Sequence, residues 1–165
     1  MADGEIKYQR IADRRMAFVD FGRRKFIRRG RTFVYPREIY LSDTNAYSNV
    51  YFANFIHFIG EAREAWLQWL LGDNATAFFQ SGIGMVTVDT DIKYKDSLYC
   101  FDKIEVKVTV TKLSRTKLVF HFDIVNQKTK KLSAAANMTV GAVFNGKIVI
   151  IPSILSDQIK KKGLL

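Results

Sequence analysis

Hydrophobic and polar residues alternate with a period of two through most of the C-terminal half of the chain. The alternation is clearest in KIEVKVTVTKL, residues 103–113, and recurs at 84–94, 116–126, 132–144 and 147–151. A period of two places successive side chains on opposite faces of a strand, so each segment is predicted to be a strand with one buried face. Asn145-Gly146 is typical of a tight hairpin turn. In the first of these strands, one face is expected to carry Val86, Val88, Ile92 and Tyr94.

Residues 50–71 follow a different period, with apolar side chains recurring every three or four positions. The members of this series are Phe55, Ile59, Ala62, Trp66 and Leu70. This spacing predicts one long helix, which the glycine at position 72 ends. A further strand is predicted before it, at 37–42. Because so apolar a helix must be covered, the order of elements predicts an α+β fold with an antiparallel sheet around the helix.

Charged residues are distributed unevenly along the chain. The 165 residues carry a net charge of +10, and residues 1–32 hold ten Lys and Arg against four Asp and Glu. We therefore predict a basic N-terminal arm at 1–35, a folded domain at 36–155 and a basic tail at 156–165. The arm is expected to be solvated or to bind an acidic partner, whether a carrier protein, a nucleic acid or an anionic membrane surface.

Several classes of protein are disfavoured by what the sequence lacks. The single cysteine, Cys100, allows no internal disulfide and favours a reducing compartment, so a cytoplasmic location is expected. No apolar stretch follows the arginines at 14 and 15, as an export signal would require. No apolar run reaches the ~18 residues of a membrane span. Two histidines and one cysteine disfavour a metal site, and no glycine-rich phosphate loop is present, so no cofactor is expected.

The segment DTNAYSNVYFANF at 43–55, followed by AREAWL at 62–67, resembles the hot-dog fold, in which an antiparallel sheet wraps one long central helix. Within that fold it is similar to the 4-hydroxybenzoyl-CoA thioesterase-like branch, and the resemblance covers residues 36–155. Asp43 fits the first acid of the branch motif. Two residues depart from it, because Ser48 replaces a glycine and Asn45 replaces the catalytic aspartate. The thioesterases of enediyne polyketide pathways also lack that aspartate, and the chain resembles them most.

This resemblance implies that Asn45 and Arg63 form the catalytic pair. Asparagine cannot act as a base, but its amide can orient a water or donate to an oxyanion. The helix expected to begin near Asn49 offers unpaired N–H groups at its start. By the same resemblance, the backbone N–H of Phe52 would polarise the thioester carbonyl.

Three further residues are predicted to bind substrate, namely Asn49, Tyr51 and Trp66. Each prediction has a structural alternative. The side chains of Tyr51 and Phe52 can simply pack on the helix, and Trp66 can belong to the core rather than line an acyl pocket.

The two catalytic assignments also have alternatives. Asn45 suits a helix cap or a polar loop. Arg63 suits a surface ion pair with Glu61 or Glu64.

The resemblance implies an acyl-thioester hydrolase that releases a fatty or polyketide chain, including a β-ketoacyl chain, from an acyl carrier protein or CoA. It also implies a homodimer or homotetramer, because hot-dog sites form between subunits. A non-catalytic acyl-binding protein, whose basic arm binds nucleic acid or protein, remains the alternative. Nucleic acid is the less favoured partner, since the arm is short for a helix-turn-helix domain.

Overall fold

The computed structural model describes residues 27–165. Within these residues, three α-helices and seven strands follow one another in the order β1, β2, α1, α2, β3 to β7, α3, with short 3₁₀ turns at Leu41–Asp43 and Gly72–Asn74. The strands are β1 Ile27–Arg29, β2 Thr32–Glu38, β3 Gly84–Tyr94, β4 Lys103–Leu113, β5 Lys117–Asn126, β6 Leu132–Phe144 and β7 Lys147–Val149. The helices are α1 Phe52–Leu71, α2 Ala75–Gln80 and α3 Ser153–Lys161.

One antiparallel sheet contains all seven strands. Its order is β1-β2-β4-β5-β6-β3, and β7 folds back on the end of β6 through the predicted turn at Asn145 and Gly146. The register between β4 and β5 pairs Val106 with Ile124 and Val108 with Phe122. The alternation in these strands therefore produces a single apolar face.

Helix α1 covers that apolar face, and its series of apolar residues is buried as predicted. The core combines Phe58, Ile59 and Trp66 of α1 with the inward side chains of β2, β4, β5 and β6. This arrangement confirms the predicted α+β fold, an antiparallel sheet with one long helix. Among residues 27–165, no helix combines the length and the apolar character needed to cross a membrane.

Strand β3 differs from its prediction because it contains a β-bulge. The register with β6 shifts between Thr87 and Asp89, and such a shift changes which alternate residues face inward. Thr87 therefore faces α1, whereas Val86 and Val88 are 43% and 52% exposed. The predicted common face of Val86, Val88 and Ile92 is wrong for this reason.

Parts of the predicted N-terminal arm and of the predicted C-terminal tail form strands and a helix among the described residues. The strand expected at 37–42 lies instead at Thr32–Glu38, where it forms a hairpin with β1. Pro36 pairs with Glu105 of β4 and lies two residues beyond Val34, whose partner Ile27 is the first described residue of β1. At the other end, α3 buries Leu155 and Ile159 and packs against α1. Residues 1–26 of the predicted arm lie outside the described residues.

Candidate active site

Asn45 lies in a tight turn that immediately precedes α1. Thr44 and Val50 form an isolated bridge across the turn, and the Asn45 N–H donates to the Asn49 carbonyl at 2.9 Å. The Asn45 Oδ1 accepts from the Tyr47 N–H at 2.8 Å. This bond fixes the amide, and its Nδ2 has no protein partner among residues 27–165. Asn45 is thus a polar loop residue, as the structural alternative predicts. Its Nδ2 can still donate a hydrogen bond to a ligand.

Ser48 completes this turn in a left-handed backbone conformation. Its φ is +66°, and its N–H donates to the Asn45 carbonyl at 2.9 Å. This conformation suits glycine, the residue that the related branch has at the position. Ser48 therefore forms the same turn as glycine would, but in a strained backbone conformation.

Helix α1 begins at Phe52, three residues later than expected. The preceding residue, Tyr51, provides no side-chain cap, and its N–H donates to the Asp43 carbonyl at 3.1 Å. The same carbonyl accepts from Asn54 Nδ2 at 2.8 Å. The N–H of Phe52, the first helical residue, has no partner within the helix and points from its positive end.

An ion network that the sequence analysis missed lies beneath the turn. Arg37 of β2 donates through Nη1 and Nη2 to the two carboxylate oxygens of Asp43, at 2.8 and 3.1 Å. Its Nε donates to Glu61 of α1 at 2.8 Å, and its Cζ lies 3.9 Å from the centre of the Phe58 ring. Arg37 thus joins β2, the turn and α1.

The sequence feature that could have identified Arg37 is its position in the alternating pattern of β2. It continues the inward series of Phe33 and Tyr35, so the alternation places a charge on the apolar face. A charge there needs a partner.

Electrostatics keep the network ionised. Burial opposes the charged form of Asp43, but hydrogen bonds from Arg37 and from the Tyr40 N–H outweigh it and lower the pKa of the Asp43 carboxyl. Burial likewise opposes the charge of Arg37, but the hydrogen bonds to Asp43 and Glu61 prevail and raise its pKa. Asp43 is therefore held as a carboxylate facing Arg37.

Arg63 lies on α1 facing the edge strand β3. Its Nη1 donates to Thr87 Oγ1 at 2.8 Å and lies 3.6 Å from the Met138 sulfur. Within the described part of the chain no carboxylate lies within 4.0 Å of it, since Glu61 pairs with Arg37 and His57 instead. The ion-pair alternative for Arg63, with Glu61 or Glu64, is therefore wrong, and no described carboxylate compensates its charge.

Asn45 and Arg63 are not brought together within one chain. Arg63 lies eleven residues beyond the start of α1, or about 17 Å along the helix axis at ~1.5 Å per residue. The Phe52 N–H, in contrast, lies at the end of α1 that adjoins the Asn45 turn.

The predicted substrate-binding residues occupy three different environments. The carboxamide Oδ1 of Asn49 is buried without a hydrogen-bond partner among the described residues. The rings of Tyr51 and Phe52 are exposed and lie 4.6 Å apart. Trp66 is 1% exposed and packs edge-on against Phe120, which agrees with the core alternative. A substrate-binding role for these residues stays a prediction.

No cluster of three or more His, Cys, Asp and Glu side chains suited to a metal ion occurs within residues 27–165.

Comparison with known proteins identifies relatives of the whole domain. The model of the thioesterase-like superfamily matches residues 39–159. A 1,4-dihydroxy-2-naphthoyl-CoA hydrolase of Crocosphaera subtropica is 34% identical over 114 residues, which cover 69% of this chain and 83% of that protein.

Two solved structures share this fold and are each 25% identical in sequence to this chain. The 1,4-dihydroxy-2-naphthoyl-CoA thioesterase of Synechocystis superposes with a TM-score of 0.69 at 25% identity, covering 78% of this chain and 96% of that one. The dynemicin thioesterase superposes with a TM-score of 0.71 at 25% identity, covering 79% and 96%.

Proposed function

The chain belongs to the thioesterase-like superfamily, and we propose that it hydrolyses acyl-CoA thioesters. The observation that carries the proposal is the start of α1. There the N–H of Phe52, which has no partner within the helix, lies at the end of α1 that follows the turn in which the Asn45 carboxamide is fixed. The names of relatives that hydrolyse CoA thioesters support the substrate class.

The reaction needs little from the protein beyond positioning and charge. Water attacks the thioester carbon, the carbonyl oxygen becomes an oxyanion, and the C–S bond then breaks to give a carboxylic acid and a thiol. The Phe52 N–H, at the positive end of α1, stabilises the oxyanion. Asn45 Nδ2 orients the water or donates to the oxyanion, because Oδ1 is already engaged by Tyr47.

Arg63 enters this scheme through a homodimer. Strand β3 is paired only with β6 among the described strands, so its other edge presents backbone N–H and C=O groups without a strand partner there. Unpaired edges of this kind favour pairing with a second strand. Because Arg63 binds Thr87 of the same strand, a dimer formed along β3 brings Arg63 of one protomer toward the site of the other.

The finer identity of the substrate is part of the same proposal. The resemblance to the thioesterases of enediyne polyketide pathways favours a polyketide chain, including a β-ketoacyl chain, and similarity to the dynemicin thioesterase, which binds a polyene, agrees with it. The basic N-terminal segment favours delivery by an acidic carrier protein in the cytoplasm. Similarity to CoA hydrolases favours CoA as the carrier.

Thiol release from a panel of acyl-CoA and acyl-carrier thioesters tests the proposal. Asn45→Ala is expected to reduce turnover by about two orders of magnitude, the scale of one lost oxyanion donor. Asn74→Ala is the matched control, because Asn74 precedes α2 and makes no side-chain capping bond. Equal turnover in the two variants would remove Asn45 from the mechanism. Binding of the thioesters without thiol release by the unmodified chain would instead favour the acyl-binding alternative.

A further inference from the structure

Two loops at one end of the sheet present large apolar side chains to solvent. Leu41 and Phe101 are 75% and 72% exposed, and Tyr40 and Tyr99 are each more than half exposed. We call these four side chains the apolar tips.

Backbone hydrogen bonds hold the tips together and beside the candidate active site. The Phe101 N–H donates to the Ile39 carbonyl at 2.8 Å, which places Phe101 next to Tyr40 and Leu41. Tyr99 forms a bridge with Asn49 of the Asn45 turn. The tips therefore form one surface on the rim of that turn.

Phe101 is held in an unfavourable conformation. Its φ is +68°, a left-handed value that is rare for a bulky residue. The turn around it is fixed, because the Tyr99 N–H donates to Asp102 Oδ2 at 2.9 Å and the Asp102 N–H donates to the Tyr99 carbonyl at 3.1 Å. The fold thus holds the backbone of Phe101 in a strained conformation, although its ring is largely exposed to solvent.

Lysines surround the tips. The loops at 95–103 and 126–131 hold five lysines, all exposed, against two aspartates. The two loops are adjacent, because the Gln127 N–H donates to the Lys103 carbonyl at 2.8 Å. Of the aspartates, Asp96 lies 3.6 Å from Lys131, and Asp102 accepts from the Tyr99 N–H. Glu38, which pairs with Lys103 in the β2–β4 register, is a further acid beside these loops. The surface is therefore apolar at its tips and has an excess of lysines around them.

We propose that this surface docks on an anionic lipid bilayer. Protruding apolar and aromatic side chains enter the interfacial layer of a membrane, and nearby lysines are attracted to anionic headgroups. An acidic protein partner matches the charge as well, but four side chains that protrude from two loops, each with more than half of its surface exposed, fit a deformable interface better than a rigid surface. The inference does not depend on the proposed reaction.

Co-sedimentation of the full-length chain with vesicles tests the proposal. Vesicles of phosphatidylcholine with about 30% phosphatidylglycerol are compared with pure phosphatidylcholine, at low and at high salt. We expect binding to the anionic vesicles that weakens with salt, because attraction to exposed lysines is screened. Lys95→Gln and Lys128→Gln are each expected to lower the partition coefficient about fivefold.

The variant Leu41→Ser/Phe101→Ser removes two tips and is expected to lower binding about tenfold. Ile148→Ser is its matched control, because Ile148 is 71% exposed but lies on β7, away from the tips, and this change is expected to leave binding intact. A urea unfolding midpoint checks that each variant is folded. If the double variant is not, Leu41→Ser alone is used, with a loss of about threefold expected.

Three outcomes would overturn the proposal. Unchanged vesicle binding by the tip variant would assign binding to the basic N-terminal segment, which every variant retains. A reduced oligomer mass in the tip variant would identify the surface as a contact with a second copy of the chain. Unchanged vesicle binding together with a lower kcat/KM for carrier-bound thioesters alone would make the surface a protein-docking site.

Discussion

At the scale of single residues, Ser48 carries a cost that glycine would avoid. A left-handed backbone costs an L-residue roughly 1–2 kcal/mol, whereas glycine loses roughly 0.5–1 kcal/mol through its freer unfolded chain. Ser48→Gly is therefore expected to raise the free energy of unfolding by up to about 1 kcal/mol, as measured by urea denaturation. Ser42→Gly is the control, because Ser42 lies in the 3₁₀ turn without a positive φ and should lose stability. Equal changes in the two variants would mean that Ser48 carries no strain.

At the scale of elements, the Arg37–Asp43 pair couples β2 to the start of α1. Because the folded-state pKa of Asp43 is lowered, its contribution to stability is complete above the usual aspartate pKa of 3.8 and is lost as pH falls through the lower, folded-state value. Asp43→Asn is expected to destabilise the chain by about 2 kcal/mol at neutral pH, less than for a fully buried pair because Arg37 retains Glu61.

The pH dependence distinguishes this effect from simple loss of packing. Unfolding measured from pH 7 down to pH 3 should show a steeper loss of stability in the unmodified chain than in Asp43→Asn. Asp73→Asn, in the exposed turn after α1, should keep the steep loss. Parallel curves for the unmodified chain and Asp43→Asn would contradict the assignment.

At the scale of the whole molecule, the separation of Asn45 from Arg63 predicts a site shared between protomers. Asn45→Ala and Arg63→Ala chains are each expected to be inactive, and mixing them allows hetero-dimers to form. Random exchange makes about half of the dimers hetero-dimers with one intact site each, so thiol release should recover to about a quarter of the unmodified rate. Tagging one variant verifies that hetero-dimers are present. No recovery in verified hetero-dimers would limit Arg63 to a role within its own protomer.

Much of the architecture could be predicted from local patterns. Alternation in β4, β5 and β6, the three-to-four spacing of α1, its end at Gly72 and the hairpin at Asn145 and Gly146 all match the structure. These features are encoded locally, because side-chain direction follows from backbone geometry over a few residues. The residues Asn45 and Ser48 were singled out by the resemblance to the family motif, as its two departures.

The contacts of the charged groups were decided only by tertiary structure. Arg37 and Glu61 are 24 positions apart, and they meet because β2 and α1 pack together. The bulge in β3 turned Thr87 toward Arg63 and left Val86 exposed, although the sequence alternates there. The sequence by itself determined which segments are strands and helix, since local geometry and burial decide that. Strand register, the bulge and the pairing of charges depend on how distant segments pack, so the partners of Arg37 and Arg63 were fixed only in the folded chain.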